Sequence, residues 1–215
     1  MSCGESQPKR SRGSKSVLEG SIPSRPVYGV LEIRPGRLHL MVADAEGAEA
    51  ILDLAASAPA DFFAAAHIIY LPKKSGDRFV ARLQQLVPAQ LYVGPSYDAA
   101  LPRLRRVLAG AHMGLQVYLA GTEGLMGQAM LEVTQAGVPH SAIQTEHRGS
   151  TVRRVQCVHC KGITEEVTHD PFQCAHCGLH LFVRDHYSRR IAAFQGVRVD
   201  AEDPGNIPES VERFR

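Results

Sequence analysis

The sequence predicts an α/β protein, with a helix-covered parallel-sheet sandwich over residues 27–149 and a small cysteine-based ribbon over residues 150–190. Two observations carry that prediction. Short apolar runs of strand character alternate with helix-period segments through the first two thirds of the chain. Beyond them, four of the five cysteines fall in two Cys-x-x-Cys pairs. Strand, helix, strand with short connections is the pattern of a parallel sheet covered by helices. Tight thiol pairs in a chain with no hydrophobic leader behind its N-terminal charges point to metal ligation in a reducing compartment rather than to a disulfide framework.

Residues 1–26 are rich in Ser, Gly, Lys, Arg and Pro and have little to bury, so they read as a disordered basic tail. Lys9, Arg10, Arg12, Lys15 and Arg25 against Glu5 and Glu19 give it a charge of +3, leaving −1 for the rest of a chain whose formal charge is +2. The segments 27–34 and 37–43 flank Pro35-Gly36, a pattern that predicts a hairpin of two half-buried strands. AEGAEAILDLAASA predicts a helix. Strands are expected at 66–71 (AHIIYL), 90–94 (QLYVG), 114–121 (GLQVYLAG) and 141–147 (SAIQTEH). Between them, Phe79, Val80, Leu83, Leu86 and Val87 share one helical face; Leu101, Leu104, Val107 and Leu108 share a second; and Leu125, Met126, Ala129, Met130 and Val133 share a third. These stripes read as faces that cover a sheet.

Open parallel sheets bind ligands beyond the carboxyl ends of their strands. The loops to inspect therefore follow Leu71, Val93, Leu119 and Gln144. Val93-Gly94-Pro95-Ser96 and Ala120-Gly121-Thr122-Glu123-Gly124 could each open a helix with N–H groups facing an anion. Neither is the G-x-G-x-x-G fingerprint of dinucleotide binding. Thr122 reads as an N-cap, with Glu123 in the first turn, where its charge complements the helix dipole and opposes phosphate. Gly121, Thr122 and Glu123 thus stand between two readings, a cap and turn or a retained nucleotide contact.

Cys157-Val158-His159-Cys160 and Cys174-Ala175-His176-Cys177 are separated by thirteen residues, enough for a hairpin to bring the pairs together. Four thiolates at tetrahedral positions are what Zn²⁺ takes in a closed structural site, so Cys157, Cys160, Cys174 and Cys177 are the expected ligands of a zinc ribbon. Iron in a rubredoxin-like site uses the same tetrahedron and would make the ribbon an electron carrier. Gly178 permits a tight turn after the second pair. His159 and His176 are surplus to four sulfurs, and Cys3 stands apart in the tail.

Composition excludes several function classes. With 44% apolar residues the chain can fill a core, yet no run reaches the ~18 apolar residues of a membrane span. A cytoplasmic protein without membrane contact is expected. Arg148, Arg153, Arg154, Lys161, Arg184, Arg189 and Arg190 surround the knuckles, but Glu165, Glu166, Asp170 and Asp185 are interspersed and stacking aromatics are few, which argues for a protein partner over nucleic acid. Residues 191–215 read as an acidic surface arm ending in a short helix. No G-x-S-x-G elbow, P-loop or H-E-x-x-H motif is present, so no catalytic residue is assigned.

The run VYLAGTEGLMGQAMLEVTQAGVPHSAIQTEHRG (117–149) resembles the last strand-helix-strand of the nucleotide domain of ferredoxin reductase-type proteins, with Tyr118, Gly121, Met126, Gly137 and Glu146 matching that layout. Ala120 and Thr122 stand where that family has Cys and Pro. Together with the knuckles and the segment to Tyr187, the chain resembles the smallest, DmmA-type subunits of bacterial dimethylamine monooxygenases over roughly residues 27–202. The resemblance implies an oxidoreductase complex of amine catabolism that passes electrons from NADPH through FMN and an iron–sulfur cluster to heme, converting dimethylamine and O₂ to methylamine and formaldehyde. It places heme in a monooxygenase subunit and the flavin and iron–sulfur cluster in a reductase subunit. This chain is then a metal-stapled adaptor contacting both, or, with iron at the four cysteines, a relay to the heme.

Overall fold

The computed structural model describes residue 24 and residues 26–215, so most of the expected basic tail, with Cys3, lies outside the described residues. The first two thirds form a five-stranded sheet in the order β3-β2-β1-β4-β5, every pair parallel. Its elements are β1 (Leu38–Asp44), α1 (Gly47–Ala55), β2 (Ala66–Leu71), α2 (Val80–Gln85), β3 (Gln90–Val93), α3 (Tyr97–Ala109), β4 (Leu115–Gly121), α4 (Glu123–Gln135) and β5 (Ile143–His147). Period-two alternation in the central strands separates two cores. Met41, Ala43, Tyr118 and Ala120 pack with α1 and α2, whereas Leu40, Val42, Val117 and Leu119 pack with α3 and α4. The result is a doubly wound sandwich whose switch point lies between β1 and β4.

The expected hairpin over 27–43 does not form. β1 is the central strand, and both its edges are taken by β2 and β4, so nothing remains for an antiparallel partner. Residues 29–32 instead run along the outer edge of β5. There Gly29 N donates to Thr145 O (2.9 Å), Leu31 N to Glu146 Oε2 (2.7 Å) and Glu32 N to Gln144 Oε1 (2.8 Å), while Gln144 Nε2 returns a bond to Glu32 O (2.9 Å). Two side chains thus stand in for a backbone ladder and blunt the sheet edge. Val87 also departs from its expected helical face. α2 ends at Gln85, and Val87 is exposed with φ +50°.

The second sheet has the order β7-β6-β11-β10-β9, built from β6 (Arg153–Cys157), β7 (Ile163–Val167), β9 (Phe172–Gln173), β10 (His180–Ser188) and β11 (Ala193–Arg198). It does not stop at residue 190, because β11 pairs with both β6 and β10. The terminal segment forms no helix. It turns back as a two-residue strand, β12 (Val211–Glu212), on β8 (His169–Asp170), and the N–H groups of Arg213 and Phe214 both donate to Thr168 O (2.9 Å). Its backbone groups are committed to this pairing with β8 and Thr168 rather than to helical bonds. Leu131 of α4 packs into the core of the second sheet, and a Cβ on Gly127 would run into the Tyr187 hydroxyl, so α4 is the element on which the two sheets meet. No helix among the described residues is long and apolar enough to cross a membrane.

Candidate metal centre and the crevice above the parallel sheet

The two knuckles have the same backbone construction. In the first, Cys157 N donates to Gly162 O (2.9 Å) and Lys161 N donates to Cys157 O (3.0 Å); in the second, Cys174 N donates to Leu179 O (2.9 Å) and Gly178 N to Cys174 O (3.0 Å). The residue after each second cysteine closes the turn in the left-handed region, Lys161 at φ +63° and Gly178 at φ +73°. Glycine takes that conformation freely, as expected for Gly178. Lys161 takes it at some steric cost, with its Nζ bonded to Val158 O (2.7 Å).

These turns bring all four sulfurs within 4.8 Å of one another. Cys157–Cys177 and Cys160–Cys174 are each separated by 3.8 Å between Sγ atoms. A tetrahedron with metal–sulfur bonds of ~2.3 Å has edges of about 3.8 Å, so the donor set fits a closed four-thiolate site, whereas a disulfide needs ~2.05 Å. Cys157 and Cys174 are buried and Cys160 is exposed. Desolvation pushes the Cys174 thiol up, but N–H groups of Cys177 and His176 and the neighbouring thiols of Cys177 and Cys160 outweigh it and bring it down to about 6. Cys177 accepts from Leu179 N–H, yet desolvation and the three other sulfurs drive it up to about 12. The two histidines do not join the sulfurs. His176 Nε2 contacts Ile163 O (2.8 Å) with its ring against Gly162, and His159 is exposed.

The crevice at the carboxyl ends of β1, β2 and β4 is the second candidate. Thr122 does cap α4, accepting from Leu125 N (3.4 Å). Its own donors turn the other way. Thr122 N and Thr122 Oγ1 both donate to the fully buried Asp44 carboxylate, at 2.8 and 2.6 Å, and Lys73 Nζ lies 2.7 Å from the same carboxylate. Gly121, at φ +120°, is pressed so closely on Asp44 that a Cβ there would collide with its Oδ1. Glu123 is buried in the first turn of α4.

A pyrophosphate in such a crevice needs a glycine-rich turn after β1 and free N–H groups at a helix start. Here the turn is Asp44-Ala45-Glu46-Gly47, with two carboxylates. Only Gly47 keeps a recognisable role, the close approach of α1 to β4, since a Cβ there would meet the Ala120 carbonyl. The residues do not fit a dinucleotide, because the end of β1 carries a buried carboxylate held by Thr122 and Lys73 in place of a glycine-rich turn. Asp44, Glu46 and Lys73 were not expected from the sequence. The signal was an acid directly after the apolar run LHLMVA, which goes unrecognised when that run is read as one arm of a hairpin.

Fold and site together define a doubly wound α/β domain with a self-filled crevice, joined to a β-ribbon that carries four clustered cysteines. A family model described as dimethylamine monooxygenase subunit DmmA-like, N-terminal domain, matches residues 20–143, and one described as the C-terminal domain of the same subunit matches residues 154–197. The chain belongs to this DmmA-like family. It is 32% identical over 101 residues to the heme-dependent oxidative N-demethylase delta subunit of Ectopseudomonas mendocina (strain ymp), a match covering 47% of this chain and 58% of that one. Among solved structures it is similar to phthalate dioxygenase reductase, at 16% identity over 66% of this chain and 47% of the reductase with a TM-score of 0.41. An intact type IV self-sufficient cytochrome P450 monooxygenase matches at 20% identity over 62% of this chain and 19% of that one, with a TM-score of 0.40.

Proposed function

We propose that this chain is the assembly subunit of a cytoplasmic, NADPH-dependent oxidoreductase complex that demethylates dimethylamine at heme. The overall reaction is dimethylamine + O₂ + NADPH + H⁺ giving methylamine, formaldehyde, water and NADP⁺. Heme belongs to a monooxygenase subunit, and FMN and the iron–sulfur cluster to a reductase subunit. Cys157, Cys160, Cys174 and Cys177 hold Zn²⁺, which fixes the ribbon. With all four positions taken by thiolate, such a site leaves no place for a substrate.

The observation that carries this reading is the buried Asp44 carboxylate at the end of β1, held by Thr122 and Lys73. It supports a scaffold role for the α/β domain, and membership of the DmmA-like family supports a place in such a complex. Metal analysis of the purified chain, with co-expression of heme and reductase subunits and a variant lacking residues 150–198, tests the proposal. About one zinc per colourless chain, and loss of assembly and turnover on deletion, are expected. A red iron–thiolate protein would reverse the role to electron relay, and unchanged assembly after the deletion would sink it.

A further inference from the structure

A groove of about 490 Å³ runs along the outer side of α4, between that helix, the chain entering at Pro26 and Val27, and the turn joining β10 to β11. Its floor is apolar, with Met126, Met130 and Leu131 side by side on α4. Tyr187 forms one wall, its hydroxyl lying against Gly127, where any side chain would displace it. Val27 and Val30, on the segment that borders the groove, are 89% and 72% exposed and add apolar surface beside it.

The charge around this groove is one-sided. Arg189, Arg190 and His140 line it, all three exposed, and no Asp or Glu does. Neither guanidinium makes an ion pair among the described residues. Acids are interspersed elsewhere on the ribbon, where Arg153 pairs with Asp185 and Arg154 with Glu165. A partner that fills this groove must therefore bring aliphatic side chains and carboxylates together. From Met126 to Thr134 the floor is about 12 Å long at ~1.5 Å per helical residue, room for two turns of a helix or four residues of extended chain. The floor is the middle of a helix whose N–H groups are bonded within it, so it offers no backbone cradle for a nucleotide phosphate. The chain's own first residues are the wrong sign, with Lys9, Arg10, Arg12 and Lys15 against Glu5 and Glu19.

We infer that this groove is the docking site for an acidic segment of a partner subunit that carries Leu or Met anchors, seated along α4 with its carboxylates on Arg189 and Arg190. The inference rests on the proposed role as an assembly subunit. Helix-in-groove recognition with an apolar centre and charged rim is the mode it uses, and rim charges set the encounter and its salt dependence.

The test uses the full chain co-expressed with the heme and reductase subunits, with a photo-crosslinking phenylalanine analogue at position 130. The expected crosslink falls on an acidic, aliphatic-bearing stretch of one of those subunits. Arg189→Glu with Arg190→Glu is expected to weaken assembly by about tenfold or more, and the double Lys variant by less than about threefold. Both sites are exposed, so melting temperature and metal content stay as in the wild type. If the wild type assembles but the crosslink falls on a second copy of this chain or on no protein, or if charge reversal leaves assembly unchanged, the docking site is wrong while the assembly role stands. If the wild type joins neither subunit, the assembly role fails and this inference with it.

Discussion

The Asp44 carboxylate takes both donors of Thr122, its backbone N–H at 2.8 Å and its hydroxyl at 2.6 Å, across 78 residues of sequence. This contact ties β1 to the start of α4 at the point where related folds leave an opening for phosphate. Titration of the purified chain with NADPH or with FMN is therefore expected to show no saturable binding up to about 1 mM. Saturation below about 100 µM would contradict the self-filled crevice.

Asp44→Ala leaves two donors of Thr122 and the Lys73 ammonium without their acceptor. Removing one partner of a buried ionic cluster costs roughly 3–5 kcal/mol. Lys73 retains 30% side-chain exposure and can rehydrate, so the expected loss lies at the lower end, about 3 kcal/mol by urea unfolding. A loss under about 1 kcal/mol would show that the cluster is incidental to the crevice.

The proposed metal site predicts that metal removal affects the two halves of the molecule differently. Structural zinc in small modules contributes an apparent ~10–16 kcal/mol, far more than the short ribbon core supplies. Chelation, or Cys174→Ser, is expected to abolish hydrogen-exchange protection in β6, β7 and β10 while leaving β1 and β4 protected. Full metal content in Cys174→Ser would overturn the four-sulfur model.

The parts of this architecture that were legible in the sequence are the local ones. Two Cys-x-x-Cys turns announce themselves because ligand spacing is set within four residues, and the β2 and β4 runs stand out because a strand buried on both faces is continuously apolar. Asp44 was missed for a topological reason. Once RLHLMVA is taken as half of a hairpin, the loop after it is no longer a crevice loop, and the Pro35-Gly36 turn cannot reveal that β1 has parallel neighbours on both sides. The same limit hid the return of the C-terminal segment, since its hold on β8 and Thr168 depends on residues some 40 positions away.

His39 provides a pH dependence. Its ring is buried at the foot of β1, stacked on Phe62 with centroids 4.1 Å apart, and desolvation holds its pKa below the ordinary 6.5. The unfolded chain takes up a proton near 6.5 and the folded chain only at lower pH. The unfolded state therefore binds more protons as pH falls through 6.5. Stability is full above that value, declines toward the depressed folded pKa and then levels. His39→Phe is expected to reduce the drop in urea midpoint between pH 7.5 and pH 5.5, measured with saturating metal. His67, shifted the same way by burial and Arg103, leaves part of the slope in place. An unchanged slope would rule out His39 as its source.

Arg153 clasps the C-terminal segment to the ribbon. Its guanidinium carbon lies 4.1 Å from the ring centre of Phe194 and 4.3 Å from that of Phe214, on the strand side and the terminal side respectively, and it pairs with Asp185 at 2.6 Å. The cation is buried but its acidic partner is mostly exposed, so the stacking carries more of the hold than the ion pair. Lysine keeps the charge and loses the flat surface that two rings can sandwich. Arg153→Lys is thus expected to cost about 1–2 kcal/mol, close to the effect of Phe214→Ala, while Asp185→Asn costs under about 1 kcal/mol. Amide exchange over residues 211–215 should rise in Arg153→Lys and Phe214→Ala and stay slow in Asp185→Asn, with metal content constant throughout. Equal losses in Arg153→Lys and Asp185→Asn would instead make the clasp an ion pair.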